Sequence, residues 1–186
     1  MSGADNRLRE HARALGLDPD GEIKRGGNYV PVLRDEGLLY VSGQVPRVGD
    51  VVQVTGSAGA EVELEQARHA ARICVLRALI LVQREAGSLD AVQAVPRMTV
   101  FVRSASDFTR QSEVADAASD LAVAVLGPRG VHTRTSVGVA QLPKGATVEL
   151  DLVVRLRAAA SPSAPTAATA ASTTAAAAAA EIRGTP

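Results

Sequence analysis

The sequence is poor in aromatic residues: two Phe, two Tyr and no Trp among 186 residues, about 2% of the chain. It has no excess of either charge, with 20 basic and 20 acidic residues and a formal net charge of zero. Nucleic-acid recognition draws on a basic footprint and on aromatic stacking platforms. Both are scarce here, so an RNA- or DNA-directed activity is disfavoured. Cysteine is nearly absent as well, Cys74 being the only one, which excludes an internal disulfide and a thiolate metal cage within one chain. Its setting, Ile73-Cys74-Val75-Leu76, suits a buried, inert thiol. The three histidines, His11, His69 and His132, have no ligand-like spacing, so no metal is expected. No apolar run approaches the roughly 20 residues of a membrane span. The start of the chain lacks the order of a signal peptide, and a soluble cytoplasmic protein without membrane contact is expected.

What the chain does contain is enough apolar residue for one packed domain, at 46% hydrophobic. Residues 5–17 carry Leu8, Ala12 and Leu15 at helical spacing, with Gly16 and Pro19 as stop signals. Val30 to Arg34 and Leu38 to Gln44 are strand-like runs joined by Asp35-Glu36-Gly37, a hairpin signature. Within the second run, Gly43 marks a bulge or a close approach to the backbone. A loop punctuated by Gly49, Gly56 and Gly59 follows.

Glu61 to Glu85 is the strongest helical segment, with Leu64, Ala67, Ala71, Cys74, Ala78 and Leu81 in one stripe and Gly87 at its end. Between Ile73 and Val82 only Arg77 interrupts the apolar residues. A helix that apolar needs cover on more than one side, from the sheet and also from the N-terminal helix or a neighbouring subunit. Ala91 to Arg103 reads as a strand in which Pro96 requires an edge or a bulge. Phe108 to Leu126 reads as a second helix, closed by Gly127-Pro128. Two strands, Thr135 to Ala140 and Thr147 to Leu156, flank a turn at Leu142-Pro143-Lys144-Gly145. This order predicts an α+β fold, a layer with two helices packed on one face of a sheet, plus a short N-terminal helix. From Ala158 onward the Ala, Ser, Thr and Pro composition predicts a disordered tail.

Arg134 opens the first of the last two strands, and Glu149 lies early in the second, inside an apolar run where a charge needs a partner. The pair reads either as a structural ion pair or as an anchor and base for an anionic substrate that the guanidinium fork would hold.

Several segments together carry a family resemblance. They are Gly27-Asn28-Tyr29-Val30-Pro31-Val32, Ser42-Gly43-Gln44-Val45-Pro46, Arg134 ahead of Ser136-Val137-Gly138-Val139-Ala140, and Leu142-Pro143-Lys144-Gly145-Ala146-Thr147-Val148-Glu149. The sequence resembles the RidA (YjgF) family of imine deaminases from about Gly27 to about Leu156. The resemblance implies 27–157 as the RidA-like domain, which leaves residues 1–26 as a helical extension and 158–186 as the tail.

It also implies a chorismate-mutase-like fold in which the β-sheet is mixed, a homotrimer with clefts between subunits, and no cofactor. Arg134 would hold a substrate carboxylate, Glu149 would place the attacking water, and Tyr29, Ser42, Gly43 and Ser136 would line the pocket. The implied reaction converts small imino or enamino acids to 2-keto acids and ammonia. The alternative is a non-catalytic sensor of small carboxylates on the same fold. The family's deaminases often carry cysteine where this chain has Ser136 and glutamate where it has Gly138. His132 is read as a structural histidine ahead of a pocket acid or base.

Overall fold

The computed structural model describes residues 3–158. The expected tail, from residue 159 onward, lies outside the described residues. The first helix, α1, spans Gly3–Ala14, and the hairpin strands are β1 (Val32–Asp35) and β2 (Leu38–Gln44). Their two-residue turn places Glu36 at φ 41° and Gly37 at φ 82°, the left-handed geometry that matches the twist of antiparallel strands. The glycine-punctuated loop carries a small second hairpin, β3 (Arg47–Val48) and β4 (Val51–Val52).

Helix α2 spans Leu64–Ala86 and ends on Gly87 in the left-handed region, as its sequence predicts. Its start falls three residues inside the expected segment. The Glu61 carboxylate accepts from the Ser57 amide and closes the preceding loop, and the Glu63 amide donates to Gln66 Oε1 at 2.9 Å in a capping arrangement. Then come β5 (Val92–Arg103), α3 (Gln111–Leu126), β6 (Thr133–Val139) and β7 (Val148–Leu156). Helix α3 also starts three residues late, because Phe108 packs against the core while its carbonyl accepts from Gln111 Nε2 at 2.7 Å.

The five-stranded sheet has the order β1-β2-β7-β5-β6, antiparallel except for the parallel β5–β6 pair. Side chains alternate between its faces. Leu39, Val41, Met98, Val100, Val102, Val148, Leu150, Leu152 and Val154 therefore point one way and are buried under α2 and α3. Pro96 falls where the β5–β7 register shifts, so a bulge and not an edge absorbs its missing donor.

Ile73, Leu76 and Ile80 on α2 are buried, and both α1 and α3 pack beside this helix. The cover expected from the N-terminal segment is therefore present, and α3 shares it. Leu8 and Ala12 are fully buried, while Leu15 is only partly so because the helix stops before it. Asp5 fixes α1 in place through its carboxylate, which accepts from Gln83 Nε2, Ser88 Oγ and the Leu89 amide at 2.7–2.9 Å. Arg7 adds a bond to the Val125 carbonyl of α3 at 2.9 Å.

Candidate functional site

A cleft of about 500 Å³ opens beside the bulged end of β2. Tyr29, Ser42, Gly43 and Glu149 all line it, so four of the six residues picked out by sequence meet there. The pairing of β2 with β7 shifts between Val41 and Gln44, which takes Ser42 and Gly43 out of the regular ladder. A Cβ at Gly43 would overlap the Glu149 carboxylate, lying 2.9 Å from Cδ and 3.2 Å from Cγ. Both readings of this glycine hold: it sits in a bulge, and the Glu149 side chain approaches its backbone. Ser42 Oγ is turned to the Val30 carbonyl at 2.8 Å, and Gln44 Nε2 donates to the carbonyls of Ser42 and Gly43 at 3.0 and 3.2 Å. Tyr29 stands at the entrance, where its hydroxyl accepts from the Gly26 amide at 3.3 Å.

Glu149 is half-buried on the sheet face away from the helices, between the inward residues Val148 and Leu150. No basic residue lies within ion-pair distance of it among the described residues. Burial pushes its carboxyl above the ordinary value, and the negative charge of Asp151 on the same face adds to the shift. Burial also raises Asp151, partly offset by a hydrogen bond from Thr99 and the charge of Arg97. Such a carboxylate holds a proton more tightly than an exposed one, which makes it a stronger base for proton transfer.

Arg134 and Ser136 are elsewhere. The expectation that Glu149 might neutralise Arg134 within the chain is corrected by the sheet order, since β5 lies between β6 and β7. Arg134 is opposite Met98 of β5 and shares its helix-facing side, whereas Glu149 is opposite Phe101 on the other side. The partner of Arg134 is instead Asp116 on α3, with Nη2 2.8 Å from Oδ1. Its Nη1 donates to Ser119 Oγ at 2.7 Å and Nη2 also reaches the Ser112 carbonyl at 3.3 Å. Among the described residues these three bonds leave two of its five N–H groups without a protein acceptor.

His132 completes this cluster. Nδ1 is 2.6 Å from the Gly130 carbonyl, so it carries the proton, and Nε2 accepts from Ser119 at 2.9 Å. The histidine thus orients Ser119, which in turn orients Arg134. Ser136 Oγ is 3.2 Å from Ser112 Oγ on α3. A Cβ at Gly138 would come within 2.8 Å of Ser104 Oγ and 2.9 Å of Gln111 Nε2, two side-chain ends that would have to move.

Sequence reasoning did not find Asp116 or Ser119, which the packing of α3 beside β6 brings to Arg134, or Asp151, whose two-residue spacing from Glu149 on β7 was the available signal. Two further residues of the cleft, Arg47 and Arg77, are almost completely buried. The isolation of Arg77 in an apolar helix was the signal available for it. Cys74 is fully buried beneath the sheet, where desolvation pushes its thiol well above the ordinary value and leaves it unreactive.

A family model described as Endoribonuclease L-PSP matches residues 21–156. The chain belongs to that family, which is the RidA/YjgF family. The match starts after α1, so that helix lies outside the residues the family model covers. Protein TCP17 of Trypanosoma cruzi is 40% identical over 154 residues, covering 82% of this chain and 96% of the relative. The crystal structure of Atu1372 from Agrobacterium tumefaciens, a protein of unknown function, is 35% identical with a TM-score of 0.74, over 83% of this chain and 96% of that one. Escherichia coli TdcF, solved with bound serine, shares the fold at 21% identity and a TM-score of 0.51, over 77% of this RidA-family chain and 94% of TdcF.

Proposed function

We propose that this RidA-family protein hydrolyses small imino or enamino acids to 2-keto acids and ammonia, at a site built from two copies of the chain. Glu149, Gly43, Ser42 and Tyr29 come from one copy, and Arg134 with Ser136 from the next, in a homotrimer. The observation that carries the reading is the seating of the half-buried Glu149 carboxylate against Gly43 in an open cleft, with no cation within ion-pair distance among the described residues. The placement of Arg134 supports the two-copy site: it lies on the sheet's free edge strand and faces the opposite side. The sheet face away from the helices also leaves Leu33, Tyr40 and Val137 exposed, the kind of surface a neighbouring subunit covers. Serine bound in TdcF agrees with a small amino-acid-like ligand.

In the reaction, Arg134 holds the substrate carboxylate through its two remaining N–H groups. Glu149 takes a proton from water as the oxygen adds to the imine carbon, and the imine nitrogen gains a proton. The tetrahedral aminoalcohol then loses ammonia as its hydroxyl proton departs, which leaves the 2-keto acid. Imines hydrolyse readily, so orientation and one positioned base suffice.

The test is keto-acid and ammonia release from an imine generated by an amino-acid oxidase, with semicarbazide as trap. Arg134→Lys and Glu149→Gln should each lose nearly all activity, since lysine lacks the planar fork and glutamine cannot accept the proton. Co-assembling the two inactive variants should restore a fraction of it, because some mixed sites combine an intact Glu149 with an intact Arg134. No recovery in demonstrably mixed assemblies refutes the two-copy site. An inactive wild type that binds 2-keto acids by calorimetry favours the sensor reading.

A further inference from the structure

The cleft contains two arginines that the reaction above does not use. Arg77 lies on α2 and Arg47 on β3, each at 5% relative exposure, and both line the same cavity as Glu149. Arg77 Nη1 donates to the Arg47 backbone carbonyl at 2.9 Å. Among the described residues that is the one protein bond of the Arg77 guanidinium, and the Arg47 guanidinium makes none. The Nε of each is buried without an acceptor.

No carboxylate lies within 4 Å of either arginine among the described residues. Arg9 and Arg68 also bury an Nε without a hydrogen bond, but each keeps a carboxylate on its guanidinium; Arg103 shares the unbonded Nε without a carboxylate but is not part of the cleft lining. The nearby Asp50 is already engaged by Lys24 at 2.6 Å. Glu149 and Asp151 are the two acidic residues of the lining, against five basic ones, Lys24, Arg25, Arg47, Arg77 and Lys144. A buried cation with unused donors is unfavourable unless an anion or water satisfies it. Burial indeed makes the Arg77 guanidinium a stronger acid than usual, and the charges of Arg47 and Arg84 push the same way. The fork of a guanidinium fits a carboxylate or a phosphate.

We propose that Arg47 and Arg77 form an anion subsite in the wall of this cleft, so that the substrate carries a second anionic group, a carboxylate or a phosphate. The subsite is a property of the cleft itself. Its role in choosing the substrate rests on the reaction proposed above.

The test is calorimetric titration of the full chain at matched ionic strength with 2-oxobutanoate, 2-oxoglutarate and 3-phosphohydroxypyruvate. A ligand with two anionic groups should bind about tenfold or more tightly than 2-oxobutanoate, the effect of one further charge-assisted hydrogen bond. A preference for 2-oxoglutarate assigns a second carboxylate, and a preference for the phosphorylated acid assigns a phosphate. In Arg77→Met and in Arg47→Met the ratio should fall to about one. If Arg77→Met does not fold, Arg77→Lys replaces it and should lower the ratio by removing the fork. Equal affinity for all three ligands in the wild type overturns the subsite, as does a ratio that survives both substitutions. Preference without turnover rejects the enzymatic reading alone, and turnover without preference rejects the subsite alone.

Discussion

Replacing Leu8 with alanine should destabilise the domain even though Leu8 precedes the residues matched by the family model. Its side chain is completely buried on α1, which packs on both α2 and α3. Leucine-to-alanine changes at buried sites cost about 2–5 kcal/mol, from lost transfer energy plus the cavity left behind. Helix α1 is peripheral and can settle partly into the space, which favours the lower half, about 2–3 kcal/mol. For a chain of this size each kcal/mol moves the melting temperature by roughly 2–4 °C, so a fall of roughly 4–12 °C is expected. Thermal denaturation followed by far-ultraviolet circular dichroism measures it, at one protein concentration because any oligomer links the two. Glu10→Ala, on the exposed side of the same helix, is the control and should change little. A Leu8→Ala protein that melts within 2 °C of wild type would show that α1 is not part of the core.

Gly43→Ala should keep the fold and lose most imine hydrolysis, because the added methyl displaces the Glu149 carboxylate; normal turnover would refute the close approach. The activity should rise with pH as Glu149 ionises, and Asp151→Asn should move that limb to lower pH by removing one cause of the raised value. An unmoved limb would mean that another group sets the profile. Glu149 also links pH to stability. Its folded value is raised, so its contribution is fully present below the unfolded value and is lost as pH rises through the folded one. Glu149→Gln should therefore melt above wild type at neutral pH and approach it in acid, whereas lower stability at neutral pH would contradict the burial argument. Cys74 should resist a thiol reagent in the native protein and react on unfolding, and rapid native labelling would contradict its burial.

The sequence by itself determined the elements. Periodicity located α2 and α3, the Asp35-Glu36-Gly37 segment announced the hairpin, and Gly87 and Pro96 marked a helix end and a bulge. These features depend on neighbours a few residues away, so they are legible in a linear string. The site was legible in part, because Ser42, Gly43 and Glu149 belong to local patterns of small residues and to a charge set in an apolar strand. What the string did not carry was pairing. Arg134 and Glu149 flank one turn and look like partners, but the crossover through α3 makes β6 parallel to β5 and inserts β5 between β6 and β7. An offset of three positions along β5 then puts the two side chains on opposite faces, since faces alternate with every residue. Asp116 and Ser119 became the partners of Arg134 through that same crossover. Arg77, conspicuous in sequence only as an interruption, lines the cleft because tertiary packing sets α2 beside β3.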